Sequence, residues 1–202
     1  QERQSKYIRL EGEFKQAGIY KLETGETLRK LIARVGGFSL EPYLFGAEFT
    51  RESTRLLQQK RMDEALERLE KEVERSAAAQ SRTSLSVEDI AGIKQQQDSQ
   101  RVLVGKLKQA KATGRIVLEI SPKSTTVDEL PDLALEDGDK LFVPSKPSTV
   151  SVFGSVYNEN TFIFKTEKRI EDYLQQAGGP TKDGDGKSIY IIRADGSVLS
   201  KG

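Results

Sequence analysis

Residues 8–37 read IRLEGEFKQAGIYKLETGETLRKLIARVGG, and residues 150–179 read VSVFGSVYNENTFIFKTEKRIEDYLQQAGG. In the first stretch Ile8 to Phe14 alternates apolar and polar side chains as a half-buried strand does. Gln16-Ala17-Gly18 turns the chain into a second short strand, Ile19-Tyr20-Lys21-Leu22. Thr27 to Val35 then changes to helical spacing, and Gly36-Gly37 ends the helix. Adding 142 to each number gives the same order without a gap: a strand from Val150 to Val156, a turn at Asn158-Glu159-Asn160, a strand from Phe162 to Phe164, a helix from Ile170 to Ala177, and Gly178-Gly179. The identical pairs are Gly12/Gly154, Thr24/Thr166, Gly36/Gly178 and Gly37/Gly179. Nine of the twelve apolar positions of the first stretch are apolar in the second, where a 36% apolar composition would give about four. The two stretches are therefore copies of one structural unit.

Working outward, the second repeat runs on into a strand at Ser188 to Arg193 and a turn at Asp195-Gly196. The first repeat shows its matching strand at Arg115 to Ile120, after an intervening segment of different composition, rich in Ala, Gln, Glu, Arg, Lys and Leu. In that segment Met62, Leu66, Leu69 and Val73 follow 4-3-4 spacing and give an amphipathic helix a face for a partner helix. Glu64 with Arg68 and Glu67 with Lys71 line its wet side. Ser76 to Ser86 reads as a small polar turn, and Ser86-x-x-Asp89 opens a second helix through Ile90, Ile93, Leu103, Leu107 and Ala110 before Gly114 stops it. Gln97 and Gln100 interrupt this second stripe. The expectation is an antiparallel, coiled-coil-like arm of two helices, roughly 35 to 40 Å long at 1.5 Å per residue.

The first repeat ends in Leu135-Glu136-Asp137-Gly138-Asp139-Lys140-Leu141-Phe142-Val143-Pro144, a turn followed by a closing strand. The second has no such strand up to Gly202. The expected organisation is a discontinuous first domain over 6–146 (6–46 plus 114–146), an inserted hairpin over 47–113, and a second domain over 148–202 that is incomplete at its C-terminal side. Pro144 to Thr149 forms a stiff linker. Gln1 in place of Met, with no apolar signal segment, predicts a processed product or an excised piece.

The chain has no Cys and no His, which excludes thiolate zinc sites, disulfides and Ser-His or Cys-His catalytic pairs within it. With 32 Lys and Arg against 31 Asp and Glu, the net charge of +1 provides no field to draw it onto nucleic acid. No apolar run approaches the 18 residues or so that a membrane helix needs. Gly186-Lys187-Ser188 looks like the end of a phosphate-binding loop, but Thr181 stands where the first Gly is required, and the segment follows a helix and opens a strand. Asp183-Gly184-Asp185-Gly186 fails the calcium-loop pattern at Lys187. Asp137 and Asp139 could be read as paired acids for sugar hydrolysis or as ordinary turn chemistry. Tyr157, Asn158 and Asn160 can stack on and hydrogen-bond a sugar, or can simply make a hairpin turn. No catalytic residue, cofactor or metal site is expected.

The strand-turn-strand-helix-Gly-Gly unit resembles the SLBB (soluble ligand binding β-grasp) domain, through Leu10-Glu11-Gly12-Glu13, Gly18-Ile19-Tyr20, Leu28 to Gly37 and Leu135 to Pro144 in the first repeat. The second repeat carries the resemblance at Val152 to Val156, Ala177 to Thr181 and Ile189 to Val198. Tandem copies are similar to the periplasmic part of the bacterial outer-membrane polysaccharide export (Wza-like) family. The resemblance implies an α+β fold of two ubiquitin-like β-grasp domains, the first interrupted by the helical hairpin. It also implies a non-enzymatic, structural role in a channel exporting capsular polysaccharide or exopolysaccharide from a Gram-negative bacterium, with SLBB domains stacked as rings in a homo-oligomer. The implied partners are further copies of the chain, the exported polysaccharide and an inner-membrane polysaccharide co-polymerase, with no nucleic acid. The alternative is a carbohydrate-binding or sensing module of the cell envelope.

Overall fold

The computed structural model describes residues 5–80, 87–186 and 188–201. The chain forms two compact units: Thr50–Ile116, and the remainder, which holds both repeats.

In the first repeat β1 (Tyr7–Gly12) pairs antiparallel with β2 (Gly18–Lys21), with Tyr7 opposite Lys21 and Leu10 opposite Gly18. Helix α1 (Leu28–Arg34) follows, then β3 (Glu48–Thr50). The closing strand β5 (Lys140–Val143) inserts parallel to β1, so that this unit's strands run β2-β1-β5-β3. The 28-31-32 spacing turns Leu28, Leu31 and Ile32 onto one helical face, and these three, with Ile8 and Leu10 of β1 and Leu141 and Val143 of β5, are the fully buried core residues of this repeat. Phe49, Leu44 and Leu130 complete it. One ion pair pins the helix: Arg34 donates from Nε and Nη2 to the two carboxylate oxygens of Glu26 at 2.7 and 2.9 Å, with Glu26 almost wholly buried. The Arg34 guanidinium holds the Glu26 carboxyl below the usual glutamate range, against the opposing effect of burial.

The second repeat keeps the same offset down to single hydrogen bonds. Strands β6 (Thr149–Val152) and β7 (Asn160–Ile163) pair in the register of β1 and β2 moved by 142, Thr149 opposite Ile163. Helix α4 (Ile170–Gln176) stands where α1 does. The Phe14 amide donates to Gly12 and the Val156 amide to Gly154, both at 2.8 Å; Lys15 donates to Gly37 at 3.1 Å and Tyr157 to Gly179 at 3.2 Å. Ser39 donates to Glu13 as Thr181 does to Ser155, and Leu22 to Lys6 as Phe164 does to Ser148. A Phe14–Phe38 bridge has its equivalent in Val156–Pro180. The repeat is thus a shared solution for pairing backbone groups, carried by sequences that share few side chains.

Two sequence expectations are corrected here. The strand after the second helix, β8 (Ile189–Ile192), falls at the offset of β3 and not of Arg115–Ile120. The segment from Arg115 supplies only a two-residue strand, β4 (Arg115–Ile116); Glu119 has φ +52°, a left-handed conformation that no strand continues through, although Leu118 and Ile120 are buried. β8 turns at Asp195-Gly196 into β9 (Val198–Lys201).

In the other unit, α2 (Glu52–Gln80) and α3 (Val87–Gln109) form the hairpin. Helix α2 continues through Ser76–Gln80 where a turn was expected, because Ala77 to Ala79 favour helix strongly. Ser86, the expected cap of α3, lies outside the described residues. The base is tied by the Arg51 amide donating to the Gly114 carbonyl at 3.0 Å, and by Gln58 and Gln59, whose side-chain oxygens accept from the amides of Gly114 and Ala112. Lys108 reaches Glu70 at 2.5 Å.

Candidate functional site

The expected sugar-contact residues sit at the tip of the β6–β7 hairpin. Gly154, at φ +104°, allows the bend that follows β6, and its amide donates to the Glu159 carboxylate at 2.7 Å. Backbone bonds from Tyr157 to Gly179 and from Asn158 to Ala177 then seat the tip on the C-terminal glycine turn of α4. Gly178 is required there, since a Cβ at that position would lie 2.9 Å from the Tyr157 Cβ. The Tyr157 side chain is left 63% exposed, beside the exposed residues Asn158 and Asn160. Asn160 uses its side-chain oxygen to accept the Thr161 amide at 2.8 Å. The result is an exposed aromatic flanked by amides on a backbone fixed from two sides. At the equivalent positions of the first repeat stand Lys15, Gln16 and Gly18, none of them aromatic; the ring near that tip is Tyr20, whose hydroxyl donates to the Gln16 carbonyl at 2.6 Å.

The acidic pairs have structural occupations. Asp137 Oδ1 accepts the Tyr7 amide at 2.7 Å, and Asp139, fully buried, accepts the Glu136 amide at 2.8 Å through Oδ2. Both hold the turn that feeds β5 alongside β1. Asp185 Oδ2 accepts the Ser188 hydroxyl at 2.7 Å in the turn before β8. Lys187 lies outside the described residues.

On the arm, Met62, Leu66, Leu69 and Val73 are half-buried. They share a stripe with Gln59 and Glu70, the residues that reach Ala112 and Lys108, so this face serves the hairpin itself. The α3 residues of matching burial are Ile93, Gln97, Gln100 and Val104. Leu103 and Leu107, read from the sequence as part of that stripe, are exposed together with Val102. The two glutamines therefore belong to the packed face, and the leucines to the outer one. A shallow depression of ≈ 610 Å³ lies on α3, lined by Lys94, Gln95, Asp98, Ser99 and Val102. It carries no aromatic ring. Among the described residues no helix is long and apolar enough to cross a membrane.

Comparison with known proteins fits this arrangement. Residues 7–52 and 149–200 match the SLBB domain family, one match to each repeat. The chain is 27% identical over 195 residues to two polysialic acid transport proteins KpsD of Escherichia coli, an alignment covering 96% of this chain and 32% of each relative. The likeness runs through the arm as well as the repeats, and the chain spans about a third of the length of these relatives.

Proposed function

We propose that this chain, which belongs to the SLBB-bearing bacterial polysaccharide export proteins, is a structural, non-catalytic segment of the apparatus that carries a polysaccharide out through the cell envelope. The observation that carries this reading is the continuous similarity to polysaccharide transport proteins over 96% of the chain. The engagement of Asp137 and Asp139 with backbone amides supports it, because it leaves that acidic pair occupied in holding two strands together.

In the finer form of the proposal the two SLBB domains stack in the periplasm as rings of a homo-oligomer beneath an outer-membrane channel for capsular polysaccharide or exopolysaccharide. The helical arm reaches a neighbouring subunit or the inner-membrane polysaccharide co-polymerase. The exposed row Val102, Leu103 and Leu107 supports a role for the arm in contact, since the face at Met62, Leu66, Leu69 and Val73 is engaged within the hairpin. The test is particle mass and shape, by light scattering and electron microscopy, of the full-length protein extracted from its membrane. A closed ring is expected, and a monodisperse monomer would contradict the conduit.

A second reading, a carbohydrate-binding or sensing module, has Tyr157 in its favour, an exposed ring on a fixed hairpin tip beside Asn158 and Asn160. On that reading oligosaccharide titration gives saturable binding that Tyr157→Ala weakens about tenfold or more, the loss of a stacking contact worth ~1.4 kcal/mol. Absence of saturable binding would dismiss it.

A further inference from the structure

The two repeats differ on the side of their strands turned away from the helix. In the first, that side is wet: Arg9, Glu11, Lys21 and Glu48 stand on it, and the Glu11 carboxylate pairs with the Lys140 ammonium at 2.7 Å and the Arg9 guanidinium at 3.5 Å. Moved by 142, those four positions are Ser151, Phe153, Ile163 and Tyr190, and the charge is gone from all of them. We propose that this uncharged outer face of the second repeat is the seat for the helical arm of a neighbouring copy, which lays on it the row Val102, Leu103 and Leu107 of α3. The inference rests on the homo-oligomeric form of the transport reading and says where one copy holds the next.

Strand alternation fixes which side is which. Val150, Val152 and Phe162 share the inner side, where the Phe162 ring meets Tyr173 of α4 at 6.3 Å. Ser151, Thr161 and Ile163 therefore point the other way, with Ser151 Oγ and Thr161 Oγ1 2.9 Å apart. On β8, at the offset of β3, Ile191 takes the inward place of Phe49, and Tyr190 and Ile192 take the outward places of Glu48 and Thr50. Phe153, Ile163, Tyr190 and Ile192 are between 61% and 72% exposed. Four side chains of this size leave on the order of 500 Å² open to water, the extent that marks an interaction site on a soluble protein. Strand pairing does not account for this exposure. In the first repeat, with β5 beside β1, the equivalent residues Arg9, Lys21 and Glu48 are still exposed, because a strand added in the plane of a sheet covers an edge and not a face.

The occupant is read from α3. Its packed side carries Ile93, Gln97, Gln100 and Val104, while Val102, Leu103 and Leu107 lie exposed on the outer side. A helix that keeps leucines on the side away from its hairpin partner, and glutamines toward it, has a second surface to bury. The two surfaces match in charge. Among Val102, Leu103 and Leu107 stands one charged residue, Lys106, whose stem lies along apolar surface while its ammonium stays at the rim. The four sheet positions carry no charge that burial would strand. They also match in shape, since a helix laid on the outer face completes the helix-on-sheet layering that α4 begins on the inner one. Because the arm and the sheet face are different surfaces of the same chain, the contact is head-to-tail, and head-to-tail contacts between copies close into rings where the rotation allows.

The test is thiol cross-linking in the full-length protein, assembled in its membrane from two co-expressed copies with different tags, one carrying Leu103→Cys and the other Ile163→Cys. These 202 residues contain no Cys, so within them each introduced thiol is unique. A short bismaleimide is expected to join the two tags through the peptides bearing residues 103 and 163. The yield should be at least about tenfold above that with Lys21→Cys, the equivalent position of the first repeat, in place of Ile163→Cys. A 103–163 product found only within single chains carrying both substitutions would show the arm folding onto its own sheet. A 163–163 product without the mixed one would show sheet against sheet, and either result overturns the proposal. Intact rings in electron micrographs with no 103–163 product would overturn this contact and leave the conduit standing, whereas a monodisperse monomer would contradict the conduit and the contact together.

Discussion

The two repeats share a backbone and differ in how far it is closed. Over residues 8–37 and 150–179 the strand register and the bonds of the glycine turn coincide, yet one repeat fully buries the apolar face of its helix beside a continuous sheet and the other leaves that face half-covered. Short-range pairing evidently does not depend on the closing strand. Burial of the core does, and the buried apolar area supplies most of a small domain's stability.

That contrast can be broken most forcefully at the equivalent helix positions. Leu28→Ala should cost the first repeat about 2 to 5 kcal/mol, and Ile170→Ala should cost the second less than ~1 kcal/mol in residues 1–202, because the cavity term requires a surrounded side chain. Urea unfolding followed through NMR signals of each repeat separates the two; similar losses would mean that the second core is closed. The glycine pair gives the next largest difference. Gly12→Ala must push β1 from β5 at a left-handed φ of +85° and should cost about 2 to 4 kcal/mol, while Gly154→Ala meets only the backbone strain, roughly 1 to 2 kcal/mol, measured in the same way.

The ion pair sharpens the comparison with acid. The second repeat has Lys168 and Gln176 at the places of Glu26 and Arg34 and so has no equivalent pair. Because the folded-state pKa of Glu26 lies below its ordinary value of 4.5, the pair's stabilisation is complete above that value and is lost as pH falls through the lower, folded one. Acid titration of the first repeat should show this loss, and Glu26→Gln should remove it while costing about 1 to 3 kcal/mol at neutral pH. An unchanged acid profile in the variant would reject the assignment. The smallest effect belongs to the arm, where Lys108→Ala should cost less than ~1 kcal/mol, because the pair joins an exposed Lys108 to a half-buried Glu70 and water screens it; circular dichroism of thermal unfolding measures it.

The sequence revealed the repeat because its signals are local: period-two strands, a helical face and paired glycines survive even where identity is four positions in thirty. It also placed β5, through the turn at Asp137-Gly138-Asp139. It misassigned the strand matching β8, because β3 is only three residues long and Phe49 gives no alternation to read. Helical spacing alone also misassigned Leu103 and Leu107 as packed, since hydrophobicity favours leucine while the geometry of α3 turns Gln97 and Gln100 toward the packed side. At the candidate site, the exposure of Tyr157 was legible from its turn context. The backbone bonds that fix it to Gly179 span 22 residues and have no sequence signature beyond the glycines themselves.

The most direct test of the account is the polysaccharide itself. Deleting the gene in its own bacterium and quantifying polymer on the cell surface and inside the cell should show surface polymer lost and retained polymer increased, with both restored by the full-length gene. Surface polymer at its normal level in the deletion strain would contradict a role in export.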